Sequence, residues 1–155
     1  MTAKTKQKTT SSQRKDTCVF SSQDHTRLRN YLHGYSFSHA GSVFTGESVS
    51  LLNKKMSQAK IVDPEKVPRD VVTMYSTVVI SEQNTETLTS YTIVYPGETD
   101  IDKNRISVLS PIGSSLIGHR VGDVVDIQLP YGPKRYTIRE LLYQPEAAGE
   151  FHTEQ

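Results

Sequence analysis

The sequence predicts an α+β protein: two short amphipathic helices paired as an antiparallel hairpin, then an antiparallel β-sheet domain carrying one short helix. Three observations predict it. Apolar residues recur at helical steps before residue 62, and β-branched and aromatic runs dominate after residue 71. Between them, Asp63-Pro64-Glu65-Lys66-Val67-Pro68-Arg69-Asp70 carries two prolines that cannot continue a helix. With 155 residues, the chain can bury a core without disulfides.

Residues 1–20 read as a disordered tail, because a Thr/Ser/Gln-rich stretch without periodicity cannot bury enough apolar surface to order itself. Ser21-Ser22-Gln23-Asp24 has the spacing of a helix start, with Ser21 capping an amide and Asp24 in the first turn. Leu28, Tyr31, Leu32 and Tyr35 follow on one face, and Gly34 is the expected stop. A Ser/Gly/His-rich loop then leads to Thr45, the expected cap of a second helix whose Val49, Leu52, Met56 and Ala59 recur beside Leu51 and Ile61. The predicted helical unit is 21–62, with 63–70 a linker.

From Val71, five strands are expected: VVTMYSTVVI (71–80), ETLTSYTIVYP (86–96), NRISVLS (104–110), DVVDIQLP (123–130) and KRYTIRELLYQ (134–144). Their short connections, including Tyr131-Gly132-Pro133, imply mainly antiparallel pairing. The one break is Ser110-Pro111-Ile112-Gly113-Ser114-Ser115-Leu116-Ile117-Gly118, where Pro111 can start a short helix and Leu116 and Ile117 can plug the sheet. The sheet domain is expected over 71–147, with 148–155 a tail.

The net charge of +1 is unevenly spread. Residues 1–20 hold Lys4, Lys6, Lys8, Arg14 and Lys15 against Asp16, leaving the rest mildly acidic. Such a tail could touch nucleic acid weakly through counterion release, but its charges lack interleaved aromatics, and a solvated tail is the plainer reading. No apolar run approaches the roughly 20 residues that cross a bilayer, and no secretory leader is visible, so no membrane contact and a cytoplasmic monomer are expected. The single Cys18, placed in the polar tail, reads as an incidental thiol.

Residues with chemistry are sparse. No Lys follows Gly113 or Gly118 as a phosphate loop requires, and four residues separate these glycines where a nucleophile elbow allows three. His25, His33, His39, His119 and His152 lack metal-ligand spacing and read as surface histidines. Asp100 and Asp102 read as turn residues, and Glu140 and Glu146 have no evident carboxylate partner. Neither a catalytic residue, a metal site nor a cofactor is predicted, which favours a binding protein.

Ser110-Pro111-Ile112-Gly113, a small helix, and then Gly118-His119-Arg120-Val121-Gly122-Asp123 follow one another in an order that resembles the carboxy-terminal domain of the bacterial GreA/GreB transcription factors. Val67-Pro68-Arg69-Asp70-Val71-Val72-Thr73-Met74 and Tyr143-Gln144-Pro145-Glu146-Ala147-Ala148-Gly149 resemble its branch of regulators of nucleoside diphosphate kinase (Rnk). The resemblance spans about residues 60–150. It implies an FKBP-like sheet domain that docks on RNA polymerase at the rim of the secondary channel, with Ser110, Pro111, Ile112 and Gly113 as polymerase contacts.

Gre factors carry paired acidic residues at a coiled-coil tip that help hold a metal for cleavage of backtracked RNA. The corresponding stretch here, 34–45, contains no carboxylate, and Glu47 lies just beyond. The expected helices, of about 12 and 16 residues, would be only ~18 and ~24 Å long. The resemblance therefore implies a non-enzymatic factor that competes for the docking site without stimulating cleavage. The alternatives are a cleavage factor of the GreA/GreB type and, by fold analogy alone, a peptidyl-prolyl isomerase, for which the sheet region offers only tyrosines.

Overall fold

In the computed structural model, which describes residues 17–38 and 43–151, Ser21 Oγ accepts the Asp24 amide at 2.9 Å and starts helix α1, Ser22–Ser38. The cap is where the sequence places it. The stop is not: α1 runs through Gly34 to Ser38, 17 residues instead of about 12. Gly34 lacks a positive φ and meets nothing within 4 Å, so it acts as a weak helix residue, costing about 1 kcal/mol, and not as a left-handed terminator.

Helix α2 spans Val43–Gln58, starting two residues before the expected cap at Thr45. The expected interhelical loop is thus helical at both ends, and residues 39–42 fall outside the described residues. Leu28 and Leu32 of α1 and Leu52 and Met56 of α2 are buried in one cluster, each contributing roughly 1.5–3 kcal/mol of apolar burial. Ile61, expected with the apolar helical face, is instead exposed on a strand.

Two three-residue strands were not expected. β1, Val19–Ser21, pairs in parallel with β2, Lys60–Val62, so residues 19–21 clasp the segment after α2. This corrects the extent of the tail. Cys18, Val19 and Phe20 are buried, Phe20 at 1% exposure, because an aromatic and two small apolar residues gain more by packing than the short segment loses in ordering.

The larger sheet holds β3 Thr77–Glu82, β4 Leu88–Val94, β5 Arg105–Ser107, β6 Val124–Leu129 and β7 Gly132–Tyr143, in the order β5-β4-β3-β7-β6. The β3–β4, β3–β7 and β6–β7 pairs are antiparallel, whereas β4–β5 is parallel. The connection across residues 95–104 makes two 3-10 turns, Pro96–Glu98 and Ile101–Lys103, which return the chain so that β5 enters in the direction of β4. The expected first strand also begins late. Val71, Val72, Thr73 and Met74 are all buried instead of alternating, the Thr73 amide donates to Ser76 Oγ at 2.9 Å, and Tyr75 has φ 68°, so the segment turns before β3 starts.

Helix α3, Pro111–Leu116, follows β5 and packs against α2 and β6. Leu116 and Ile117 join Ile80, Ile93, Ile127 and Ile138 in the core, as expected of a sheet plug. The class is α+β. Among the described residues no helix is long and apolar enough to cross a membrane.

Candidate functional site

The segment Ser107–Gly118 is built by local hydrogen bonds that its residue types dictate. Ser107 Oγ accepts the Leu109 amide at 2.8 Å, and Ser107 O accepts both the Ser110 amide at 3.0 Å and Ser110 Oγ–H at 2.7 Å. Ser110 Oγ in turn caps α3 by accepting the Gly113 amide at 3.0 Å. Pro111 occupies the first helical turn, where its missing N–H is not needed. Ser114 Oγ–H donates back to Ser110 O at 2.8 Å. This hydroxyl is committed to the turn, consistent with a structural and not a nucleophilic serine.

Gly113 is required by a close approach. A β-carbon there would stand 2.2 Å from the Ser107 carbonyl oxygen. Ser110, Pro111 and Ile112 are half-buried, and Ile112 packs partly on the core while Pro111 lines a groove of about 540 Å³. The groove's other walls include Glu47 and Leu51 of α2 and Gln128 and Leu129 of β6. The four predicted contact residues are therefore contiguous, and they sit where the helical segment, α3 and β6 converge.

Lys55 was not flagged by the sequence. From α2 its ammonium donates to Ser114 O at 2.8 Å, Ser115 O at 2.7 Å and Ile117 O at 3.0 Å, satisfying three carbonyls at the end of α3. The stem is partly exposed while the ammonium is enclosed, and burial pulls its pKa down to about 8, opposed by the charge of Cys18. Only the tertiary fold brings Lys55 to these carbonyls, 59 to 62 residues away.

A second junction joins α1 to the sheet domain. Asp24, 6% exposed, accepts the Met74 amide at 3.1 Å, and burial, reinforced by the nearby Glu146 charge, raises its pKa to about 7 against the Met74 bond and Arg27. Glu146 accepts from Thr73 Oγ1 at 2.8 Å. Tyr31 of α1 lies 5.3 Å from Tyr95, which lies 6.1 Å from Tyr75, centroid to centroid.

His119 corrects its expectation as a surface residue: its side chain is 18% exposed, with Nδ1 3.1 Å from Asp123 Oδ2. His25 is partly buried, its Nε2 3.1 Å from Met56 O. Among the described residues no three His, Cys, Asp or Glu side chains are placed to hold a metal ion. Glu47 is exposed on α2, and part of the 34–45 stretch lies outside the described residues.

Comparison with known proteins places this geometry in context. The family model described as "Transcription elongation factor, GreA/GreB, C-term" matches residues 65–143. The chain is 39% identical over 101 residues to the regulator of nucleoside diphosphate kinase of Escherichia coli, covering 64% of this chain and 74% of that protein. It is 38% identical over 101 residues to transcription elongation factor GreA of Sulfurovum sp., covering 65% of this chain and 62% of that protein. Among solved structures, the prokaryotic transcription elongation factor GreA/GreB from Nitrosomonas europaea superposes with a TM-score of 0.67 at 34% identity, covering 81% of this chain and 99% of that one.

Proposed function

Because the chain belongs to the GreA/GreB family of transcription factors, we propose that it is an RNA polymerase-binding regulator of the Rnk type. In this reading it docks at the secondary-channel rim through Ser110, Pro111, Ile112 and Gly113 and competes with Gre factors without stimulating transcript cleavage. The same reading divides the chain into a helical arm, 21–62, a linker, 63–70, and an FKBP-like docking domain, 71–147, acting as a cytoplasmic monomer.

The observation that carries it is the preformed Ser107–Gly113 turn. Its backbone is fixed by proline and by hydrogen bonds of 2.7 to 3.0 Å before any partner arrives, so docking loses little conformational entropy. The groove beside Pro111 offers concave surface for a partner side chain. Absence of cleavage is supported by the carboxylate-free 34–45 stretch and by helices of 17 and 16 residues, only about 25 and 24 Å long.

The test is equilibrium binding of fluorescently labelled full chain to core RNA polymerase. Pro111→Ala combined with Ile112→Asp should weaken binding at least about tenfold, or ~1.4 kcal/mol, with folding checked by circular dichroism. Unchanged binding by the folded variant would overturn the mapped surface. Backtracked elongation complexes should keep full-length RNA in the presence of the protein; shortened transcripts would assign it cleavage stimulation instead.

A further inference from the structure

β6 ends the sheet, and one side of its backbone has no strand beside it. The phase of the β6–β7 ladder decides which groups lie on that side. The Ile138 amide donates to Asp123 O at 2.9 Å, while on the other side of β7 the Gln83 amide donates to Arg135 O at 2.8 Å. Alternation then makes Val125↔Tyr136, Ile127↔Lys134 and Leu129↔Gly132 the hydrogen-bonded pairs. Pro133, which has no N–H to donate, falls opposite Gln128 in the other phase. The N–H and C=O groups of Val124, Asp126 and Gln128 therefore point away from β7, and among the described residues no hydrogen bond closes them.

Space lies next to this edge. The groove of about 540 Å³ beside Pro111 has Asp126, Gln128 and Leu129 of β6 as one wall and Glu47 and Leu51 of α2 in another. A row of open backbone groups facing such a groove is a template for an added strand.

The charges select what is added. Asp126 is already held from β7 by Arg135, its Oδ1 accepting Nε–H at 2.7 Å, and the Lys55 ammonium is engaged by Ser114 O, Ser115 O and Ile117 O. Glu47 is exposed and has no cation paired with it among the described residues. It is the open charge of the groove, and its complement is a basic side chain. A second copy of the chain is disfavoured, because antiparallel pairing of two β6 edges about their middle residue sets Asp126 against Asp126. Glu47 and Leu51 stand one helical turn apart, about 6 Å along α2, close to the roughly 6.8 Å between alternate residues of a strand. An extended chain along α2 thus sets a basic side chain against Glu47 when an apolar one meets Leu51.

We propose that the β6 edge is a strand-addition site for an extended segment of a partner protein in which basic and apolar side chains alternate. The segment's backbone bonds to Val124, Asp126 and Gln128, and its side chains are chosen by Glu47 and Leu51. The inference goes beyond the polymerase reading and needs only the fold.

The probe is the acetylated, amidated heptapeptide Thr-Lys-Thr-Val-Thr-Lys-Thr, in which a lysine reaches Glu47 whichever way the strand runs. Added to the nitrogen-15-labelled full chain, it should shift the amide signals of Val124, Asp126 and Gln128 and slow their hydrogen exchange, while Val125 and Ile127, bonded to β7, are protected with or without it. Replacing both lysines of the peptide by glutamate should weaken binding roughly three- to tenfold, and Glu47→Lys, at an exposed position, should reverse that preference. The fully N-methylated peptide should not bind. No shift at the three edge amides up to millimolar peptide, undiminished binding of the N-methylated peptide, or a preference unmoved by Glu47→Lys would overturn the proposal. Edge amides that shift with protein concentration alone would assign the edge to a second copy and overturn it too. The docking test uses polymerase and this one does not, so each can fail without the other.

Discussion

Gly113→Ala separates the two forces acting on the start of α3. Helix propensity alone favours alanine by about 1 kcal/mol, so an unhindered site would gain stability. The structure predicts the opposite sign. The new β-carbon would lie 2.2 Å from Ser107 O and 3.1 Å from Ser110 Oγ, so the carbonyl must retreat by roughly 1 Å to reach ordinary contact. That carbonyl accepts both the Ser110 amide and the Ser110 hydroxyl, and Ser110 Oγ caps Gly113. Loosening two hydrogen bonds at about 1 kcal/mol each, and a cap at about 0.5–2, set against the propensity gain of about 1, gives a net loss of about 1.5–3 kcal/mol. For a chain of this size that is a fall in Tm of roughly 3–12 °C. Thermal unfolding followed by far-UV circular dichroism measures it, with Gly97→Ala as the control because nothing lies within 4 Å of that position. A Gly113→Ala protein as stable as the parent would refute the argument that this close approach holds the turn.

The two buried charges give further expectations. Asp24 titrates near 7 when folded, above its ordinary 3.8, so the folded chain binds more protons between these values and its contribution to stability declines as pH rises from about 4 to about 7. Asp24→Asn should flatten that part of a urea-denaturation series; an unchanged slope would show that Asp24 is ionised without hindrance. Lys55 titrates near 8, below its ordinary 10.5, so the unfolded chain binds more protons between these values and stability should rise over that window. Lys55→Met should abolish the rise and, by stripping three carbonyls of their donor, lower stability near neutral pH by about 1–3 kcal/mol, read as a lower urea midpoint.

Local signals were legible where one residue type decides the structure. Ser21 caps α1, Ser110 and Pro111 start α3, and the apolar steps Leu28–Leu32 and Leu52–Met56 mark the buried faces. The four predicted contact residues also fall together, because they are consecutive in the chain. What escaped depended on distant partners. β1 and β2 are too short to show a pattern, and they exist because residues 19–21 meet 60–62. Val71–Met74 resembled a strand because core burial selects the same apolar residues that a strand does, while the Thr73–Ser76 turn and the positive φ of Tyr75 set the backbone. The short expected connection, 97–103, suggested antiparallel pairing, yet the observed connection of ten residues makes two 3-10 turns that give β5 the direction of β4. Lys55 is remote in sequence from the three carbonyls it serves, and only the packing of α2 on α3 brings them together.

The most direct measurement of the docking account is a competition between this chain and a Gre factor for purified core RNA polymerase at low salt. The account predicts saturable binding of the chain and its complete displacement as the Gre factor is added, with no shortening of RNA attributable to the chain. No measurable affinity for core polymerase, or binding that persists beside a saturating Gre factor, would contradict it.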